Sequence, residues 1–464
     1  MTNIKLDDTI AAVSTPIGEG GIGIVRLSGK GSLRIVDKIF LPRNGKGVSL
    51  FKTYTVHYGH IVNKGQGIVD EVILTIMRAP KSYTKEDVVE INCHSGIVPL
   101  RKILNLVIRN GARLAQPGEF TKRAFLNGRI DITQAEAVLD IIRAKTELSL
   151  KAAEQRLEGL FSKKINSIRD ALVNILAHLE AVIDFPDEED IRVLKRDILG
   201  GLKAVKNDIE ALIETADRGK VLRSGIHTVI CGSPNVGKSS LMNALLKESR
   251  SIVTHIPGTT RDTIEEVVNI KGIPIVLADT AGITSTNHPI EKEGVKRSYL
   301  FIRKADLIFL VLDYARRLNR WDLELIHHLK GKDNIIIVIN KKDLKKRIDI
   351  NAVKKLLPKT PIIYVSAINL TGISELENKV QRVIFAGMAP TADFSSVSND
   401  RQLEILHRAL EEVGETIAAL RGKASLDCVS IYVRSAIECM GEVTGHTITE
   451  EALDRIFSEF CIGK

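Results

Sequence analysis

The sequence has few cysteines and no long apolar run. Its 464 residues include five cysteines, an odd number without a CxxC pair, so we predict neither a disulfide framework nor a zinc site. The longest apolar stretches, such as Leu307 to Leu312 and Ile335 to Ile339, fall far short of the roughly 18 residues that a membrane span needs. The N-terminal segment MTNIKLDDTIAAV has neither a basic region nor a continuous apolar region. We therefore expect a cytoplasmic protein with no membrane-bound part. The cysteines are Cys93, Cys231, Cys428, Cys439 and Cys461.

The net charge of the chain is only slightly positive. Lysine and arginine number 66 against 57 aspartates and glutamates, which gives a net charge of +9. This surplus fits a polyanionic partner such as RNA, and it fits a solvated basic surface equally well. Hydrophobic residues make up 44% and charged residues 27%, which is typical of a folded protein. The length favours about three domains.

The sequence pattern divides the chain into four segments. Residues 1–118 have short β-branched runs and one apolar-periodic stretch, IVPLRKILNLVIRNGA, which predict an α+β domain with one helix. Residues 119–220 show apolar residues at three-and-four spacing and predict long amphipathic helices, with a loop at the acidic residues 187–190. Residues 221–386 alternate apolar strands with helical segments, which predicts a parallel sheet covered on both faces. Residues 387–464 are helical again.

The helices near the C-terminus carry apolar faces that must be buried. Their best partners by composition are the helices before residue 220. We therefore predict a multidomain α/β plus all-α protein, in which the α/β segment is inserted into one discontinuous helical domain.

A phosphate-binding loop follows the first strand of the α/β segment. Residues 232–239, GSPNVGKS, match GxxxxGK[ST] between the strand HTVIC and the helical SSLMNALLK. Glycines let the backbone fold around phosphate oxygens, and the helix N-terminus supplies partial positive charge. Lys238 is predicted to reach the β- and γ-phosphates, and the Ser239 hydroxyl to ligate Mg²⁺.

Four further motifs follow in the order that a GTPase needs. They are GTTRD at 258–262, DTAG at 279–282, NKKD at 340–343 and SA at 366–367. Thr260 can close on Mg²⁺ and the γ-phosphate, and Asp279 belongs to the strand end that holds the hydration shell of the metal. Gly282 can sense the γ-phosphate through its N–H. Asp343 can pair with two guanine donors, which favours GTP over ATP. The motifs assign these residues to GTP: Asn235, Val236, Gly237, Lys238, Ser239, Ser240, Gly258, Thr259, Thr260, Asp279, Thr280, Ala281, Gly282, Asn340, Lys341, Asp343, Ser366 and Ala367.

One position departs from the Ras-like pattern. Ile283 follows DTAG, where a glutamine would orient the attacking water. Catalysis must therefore use another polar group, and the transition-state cation must come from an arginine or a bound metal ion. The Asn235 side-chain carbonyl is a candidate ligand for a monovalent cation, and a simple turn residue is the equally good alternative.

With these motifs, the whole chain resembles the bacterial and organellar tRNA modification GTPase family. That family acts with a flavin-dependent partner to install a carboxymethylaminomethyl group on the wobble uridine. The resemblance rests on both ends as well as the centre: DTIAAVSTPIGEGGIGIVRLSG, SYTKEDVVEINCHSG and PGEFTKRAFLNGRIDITQAEAVLDII near the N-terminus, and FSEFCIGK at the C-terminus.

The resemblance implies a potassium-activated GTPase with a Ras-like P-loop G domain at 221–386, working as a homodimer whose G domains meet face to face. It places K⁺ at Asn235, Thr254, Ile256 and Thr259, and it adds Thr254, His255, Ile256 and Pro257 to the GTP residues. Glu291 matches the glutamate that orients the attacking water. His255 and Ile283 depart from the residues that are common in the family at these positions.

The resemblance also implies an N-terminal α+β folate-binding and dimerisation domain. Arg26, Glu90, Arg129 and Lys464 fall on its 5-formyl- or methylene-tetrahydrofolate site, and Arg129 stands where many relatives have lysine. Cys461 matches a thiol that the modification chemistry needs, although its chemical role stays open. We expect His94, near this region, to be structural. The implied partners are tRNA and the flavoprotein, in a heterotetramer or larger complex.

Two other functions are alternatives to tRNA modification. A ribosome-assembly or RNA-binding switch GTPase without modification chemistry would share the central motifs but would not require the terminal CIGK. A membrane-associated self-assembling GTPase is disfavoured because neither end has a basic amphipathic segment or a lipidation motif.

Overall fold

The computed structural model describes residues 7–43, 45–63, 65, 67–184, 191–248, 265–278, 301–384, 396–422 and 424–464. The chain divides into two compact units. The first comprises residues 1–139, 157–206 and 408–464. The second comprises residues 140–156 and 207–407.

The strands of the first unit, in chain order, are β1 (Ile10–Val13), β2 (Gly23–Ser28), β3 (Phe40–Pro42), β4 (Thr55–Asn63), β5 (Gly67–Met77), β6 (Val88–Cys93) and β7 (Arg113–Leu114). Those of the second unit are β8 (Ile226–Cys231), β9 (Glu265–Ile270), β10 (Ile273–Ala278), β11 (Leu307–Asp313), β12 (Ile335–Asn340) and β13 (Ile362–Tyr364).

The helices, numbered along the described parts of the chain, are α1 (Ser32–Asp37), α2 (Ile97–Arg109), α3 (Glu119–Leu126), α4 (Ile132–Arg143), α5 (Glu147–Leu157), α6 (Leu160–Asp184), α7 (Ile191–Glu214), α8 (Ala216–Ser224), α9 (Lys238–Glu248), α10 (Arg320–Leu329), α11 (Ile350–Leu356), α12 (Ile373–Ile384), α13 (Asp400–Arg421), α14 (Leu426–Thr444) and α15 (Glu450–Ser458). Within the described residues, no helix is long and apolar enough to cross a membrane.

The first unit is built on a seven-stranded sheet in the order β3-β4-β5-β6-β2-β1-β7. Helices α1 and α2 cover one face, where their apolar residues share a core with alternate residues of the strands. The opposite face carries α3, whose Phe120 packs with Ile10 and Ala12 of β1. Since side chains alternate along a strand, Arg26 of β2 and Glu90 of β6 lie on the α3 side, directly opposite one another in the register.

Two helices from distant parts of the chain pack together in the first unit, as the sequence pattern predicted. The buried positions of α6 recur at alternating steps of four and three, and so do most of those of α14, which gives each helix one apolar stripe. The stripe of α6 is Phe161, Ile165, Ile168, Leu172, Ile175, Leu179 and Val182. That of α14 includes Val429, Val433, Ala436, Met440 and Val443.

The helical run after residue 131 is interrupted, although its pattern predicted long helices without an internal turn. One interruption lies before α5, where the Thr146 hydroxyl accepts a hydrogen bond from the Ser149 N–H at 3.1 Å and caps the helix. The other lies at Gly159, whose φ of +82° ends the preceding helix. Threonine and glycine are ordinary cap residues, so both breaks were readable from the sequence.

The second unit has a six-stranded sheet in the order β13-β12-β11-β8-β10-β9. Its pairs are parallel except for β9 with β10, an antiparallel edge that the sequence pattern did not predict. Alternate residues of the buried strands enter two separate cores, one on each face of the sheet. The parallel strands β8, β10, β11, β12 and β13 therefore end at one edge, where a ligand site is expected.

Candidate functional sites

The loop after β8 has the backbone of a phosphate cradle. Gly237 has φ +93° and Asn235 has φ +63°, both in the left-handed region. A Cβ on Gly237 would lie 2.3 Å from Nδ2 of Asn340, so only glycine fits there. Helix α9 begins at Lys238, directly after this turn, so its first N–H groups face the same loop.

The Lys238 ammonium lies inside the loop. It donates hydrogen bonds to the carbonyls of Gly232 at 3.0 Å and Ser233 at 3.1 Å. Burial lowers the pKa of Lys238, and the nearby Cys231 thiol opposes that shift. A partly desolvated cation held at the loop interior is suited to phosphate oxygens, whose charge it would neutralise.

Asn340 connects three loops at the edge of the sheet. Its amide group donates to the carbonyls of Val236 at 3.0 Å and Gly237 at 3.4 Å. Its Oδ1 accepts from the N–H groups of Lys341 at 2.8 Å and Ala367 at 3.1 Å. The side chain is buried, so these bonds fix the phosphate loop relative to the loops after β12 and β13.

The residues predicted to recognise guanine lie together beside Asn340. The Ser366 hydroxyl donates to Oδ1 of Asp343. The Lys341 ammonium bridges the Asn235 carbonyl and Oδ2 of Asp313, each at 2.7 Å. Hence Asp343 is an exposed carboxylate oriented by a buried hydroxyl, while Lys341 ties the phosphate loop to the end of β11.

A buried network behind the phosphate loop was missed by the sequence analysis. The Ser233 hydroxyl donates to Oδ1 of Asp322 at 2.6 Å. Asp322 belongs to the capping box of α10 with Asn319, and it forms an ion pair with Arg316 at 3.1 Å. The N-cap pattern NRWD was readable, but its contact with Ser233 was not, because 89 positions separate the partners. The network anchors the first turn of the phosphate loop.

Several predicted residues lie outside the described residues. These are Thr254, His255, Ile256, Pro257, Gly258, Thr259, Thr260, Asp279, Thr280, Ala281, Gly282, Ile283 and Glu291. Ser239 and Ser240 are exposed in the first turn of α9, next to Lys238.

A second cluster of predicted site residues lies in the first unit. Arg26 Nε forms an ion pair with Oε1 of Glu90 at 2.8 Å, and both side chains are about four-fifths buried. The Arg26 guanidinium lies 5.7 Å from the ring centroid of Phe120. Arg26 also donates to the carbonyl of Gly463 at 3.3 Å, which brings the C-terminal tail to this pair.

The end of the chain lies on the same cluster. Burial lowers the pKa of Lys464, Arg26 lowers it further, and Glu90 and Cys461 raise it, so the four groups are electrostatic neighbours. Cys461 is exposed. The structure thus brings together Arg26, Glu90, Lys464 and Cys461, although more than 300 residues of sequence separate the first two from the last two.

Arg129 is held through Tyr83, a residue that the sequence analysis did not single out. Its guanidinium lies 4.7 Å from the Tyr83 ring centroid and donates to the Tyr83 carbonyl at 3.0 Å. The Tyr83 hydroxyl is 2.9 Å from that of Thr121 on α3. Burial raises the pKa of Tyr83, while Thr121, Arg129 and Arg26 lower it, which places this ring near both arginines.

Helix α3 is fixed to the sheet by a buried cation. Arg123 is fully buried and forms ion pairs with Asp8, with Glu86 at 3.1 Å and with Glu119 at 3.1 Å. His94, by contrast, is exposed and bonds Asp70 at 2.7 Å, which raises its pKa. The structural role expected for His94 stays a prediction.

Family profiles and full-length relatives match most of this chain. A family profile described as "MnmE helical domain" matches residues 132–461, and one described as "GTP-binding protein TrmE N-terminus" matches residues 9–129. The tRNA modification GTPase MnmE of Thermoanaerobacter pseudethanolicus is 50% identical over 98% of this chain and 99% of its own. That of Bacillus velezensis is 46% identical over 98% of this chain and 100% of its own. The G domain of the T. maritima FeoB iron transporter is 31% identical over 34% of this chain and 98% of its own, with a TM-score of 0.26.

Proposed function

Because the chain belongs to the MnmE family of tRNA modification GTPases, we propose that GTP hydrolysis here is activated by potassium and controls modification of the tRNA wobble uridine. The chain itself is a GTPase. With a flavin-dependent partner, it forms the 5-carboxymethylaminomethyl group from a tetrahydrofolate one-carbon unit. We further propose a cytoplasmic homodimer that joins the partner in a heterotetramer or larger complex. The proposed domain boundaries are 1–118 for the N-terminal α+β domain, 119–220 and 387–464 for the two parts of the helical domain, and 221–386 for the G domain.

The proposal for the nucleotide is carried by the edge where β8, β12 and β13 end. The left-handed turn at Gly237 can admit phosphate oxygens, and Lys238 can neutralise them. Asp343 can accept the two guanine donors, and the Ser366 hydroxyl orients that carboxylate. Asn340 keeps the two halves of the site in register.

The metal ions fit the oxygen donors of this site. The exposed hydroxyl of Ser239 and that of Thr260 would hold Mg²⁺, a hard cation that prefers oxygen ligands. The side-chain oxygen of Asn235, which is exposed at the tip of the loop, would hold K⁺ with Thr254, Ile256 and Thr259. Both ions would supply positive charge to the transferring phosphoryl group. Glu291 would orient the attacking water.

The proposal for tetrahydrofolate is supported by the cluster in the first unit. The ion pair with Arg26 occupies one oxygen of Glu90 and fixes the position of the carboxylate. That carboxylate can then accept hydrogen bonds from the amide and amino edge of a pterin ring. Arg129 and the half-buried Lys464 suit the carbonyl and glutamate oxygens of a folate. The single observation that carries this part is that Arg26 both pairs with Glu90 and bonds the Gly463 carbonyl, next to Lys464.

The test is complementation of a deletion strain, with tRNA nucleosides measured by mass spectrometry. Cys461→Ser is expected to leave GTP turnover unchanged and to abolish the modified uridine. Cys428→Ser is the matched control, because it removes the other exposed thiol. Full modification by Cys461→Ser would remove the thiol from the chemistry, and wild-type failure to restore modification would reject the proposed function.

A further inference from the structure

The last four residues of the chain dock on the sheet instead of extending into solvent, where chain ends ordinarily fray. We define the tail as residues 461–464. The N–H of Gly118 donates to the Cys461 carbonyl at 3.4 Å, and that of Phe120 donates to the Lys464 carbonyl at 3.2 Å. Helix α3 and the residue before it therefore hold both ends of the tail.

The centre of the tail is held by two side chains from the sheet. The Gly463 carbonyl accepts hydrogen bonds from the Ser14 hydroxyl at 3.1 Å and from Arg26 at 3.3 Å. Ser14 follows β1 directly, and its own N–H bonds the Ile24 carbonyl at 2.8 Å, so its position is set by the sheet. The backbone position of Ser14 therefore does not depend on the tail, and its hydroxyl can act as an anchor for the tail.

At Gly463 the tail passes close to the backbone of β1. It has φ +99°, a conformation that side chains of L-residues rarely adopt. A Cβ at this position would lie 2.3 Å from the Val13 carbonyl oxygen. Because that oxygen belongs to the strand backbone, it cannot move aside cheaply, and any larger residue must lift the tail.

We propose that Ser14 and Gly463 are positioning residues that hold the tail on β1 and β2, so that Lys464 and Cys461 stay beside Arg26 and Glu90. Docking of the tail follows from these contacts alone. Its consequence for ligand binding rests on the proposed function, because it takes 5-formyltetrahydrofolate as the molecule that meets Lys464. Bound folate then stabilises the docked tail by linkage.

Docking can be measured by the release of Lys464 with carboxypeptidase B, followed by intact-mass spectrometry of the full chain. When cleavage is slow, such a rate tracks the population of the undocked form. Losing one hydrogen bond corresponds to a roughly two- to tenfold change in that population. Ser14→Ala is therefore expected to raise the release rate roughly two- to tenfold. Ser14→Thr, which keeps the hydroxyl, should restore the wild-type rate.

Two controls separate docking from general loosening of the fold. Ser430→Ala removes an exposed hydroxyl that bonds the Asp427 carbonyl on α14, and should leave the rate unchanged. GTP turnover should stay at the wild-type value in Ser14→Ala, because the phosphate loop belongs to the other unit.

Gly463→Ala should release Lys464 at about the rate of the free peptide FCIAK, which corrects for the changed cleavage site. The wild-type chain should release it far more slowly than the free peptide FCIGK. Equal rates for wild-type chain and peptide, or a wild-type rate in Ser14→Ala, would overturn the proposal.

The same assay tests the positioning role of Ser14 and Gly463 separately from the proposed binding of folate. Adding 5-formyltetrahydrofolate should slow release from the wild-type chain. If Ser14→Ala accelerates release while folate gives no protection, the positioning role stands and the folate proposal falls. If folate protects while Ser14→Ala behaves as wild type, the positioning role falls.

Discussion

Replacing Asn340 tests whether one side chain holds the nucleotide site together. Asn340→Ala removes four hydrogen bonds, two to the phosphate loop and two from the loops that follow β12 and β13. At about 1 kcal/mol for each bond, we expect a loss of about 4 kcal/mol in the unfolding free energy of the second unit. Asn340→Asp keeps both acceptor bonds but places a buried carboxylate oxygen against the Val236 and Gly237 carbonyls, so we expect a loss at least as large as that of Asn340→Ala.

The assay pairs urea unfolding with binding of a fluorescent GTP analogue. Both variants should weaken nucleotide binding, because the phosphate loop is then no longer held at a fixed distance from Asp343 and Ser366. Asn351→Asp on α11 is the matched control, since that residue is exposed in the same unit. A loss below about 1 kcal/mol together with wild-type affinity in Asn340→Ala would refute the reasoning.

Three further changes test the supporting contacts. Ser233→Ala leaves the buried Asp322 without its hydroxyl donor, so urea unfolding should show a loss of about 1 to 3 kcal/mol, and GTP should bind more weakly. Tyr83→Leu removes the ring beneath Arg129 and should weaken 5-formyltetrahydrofolate binding roughly two- to fivefold in calorimetry, while Tyr83→Phe should not. Glu119→Gln should destabilise the first unit at pH 7, by urea unfolding, with the difference from wild type shrinking as the pH falls through the lowered pKa of Glu119.

The pH dependence of Glu119 has a definite sign. Burial raises the pKa of its carboxyl, but hydrogen bonds from Arg113 and from the Gln116 N–H, with the charge of Arg123, bring it below the ordinary value. The folded pKa is thus lower than the unfolded pKa, so the stabilisation is full above the unfolded value and is lost as the pH falls through the folded one. A wild-type advantage that grows toward pH 3 would contradict this.

The other two contacts also have clear contrary outcomes. Unchanged stability and affinity in Ser233→Ala would mean that the link from α10 does not support the phosphate loop. Equal folate affinities for Tyr83→Leu and the wild type would mean that Arg129 needs no aromatic support.

Motifs whose spacing is local could be predicted from the sequence. Lys238 and Asp343 each follow a strand with a recognisable pattern, and the topology brings those strand ends to one edge. The strong apolar stripes of α6 and α14 likewise predicted that both helices need a buried partner. In each case a short segment carries the whole signal, either as a motif that follows a strand or as an apolar stripe that must be buried.

Contacts between distant segments could not be predicted in this way. Ser14 and Gly463 are 449 positions apart, and neither a serine after a strand nor a glycine near a terminus signals a partner. Tyr83 is similar, because its apolar surroundings include β1 and α3, which only the fold assembles. The short strands β3 and β7 could not be predicted, because two or three residues show no measurable alternation.

The most direct test of the central claim is GTP turnover by the purified full-length chain in potassium chloride and in sodium chloride at equal ionic strength. The account predicts fast turnover in potassium and slow turnover in sodium, with Lys238→Ala inactive in both. Equal turnover of the wild-type chain in the two salts would contradict potassium activation and would return this protein to the class of ordinary switch GTPases.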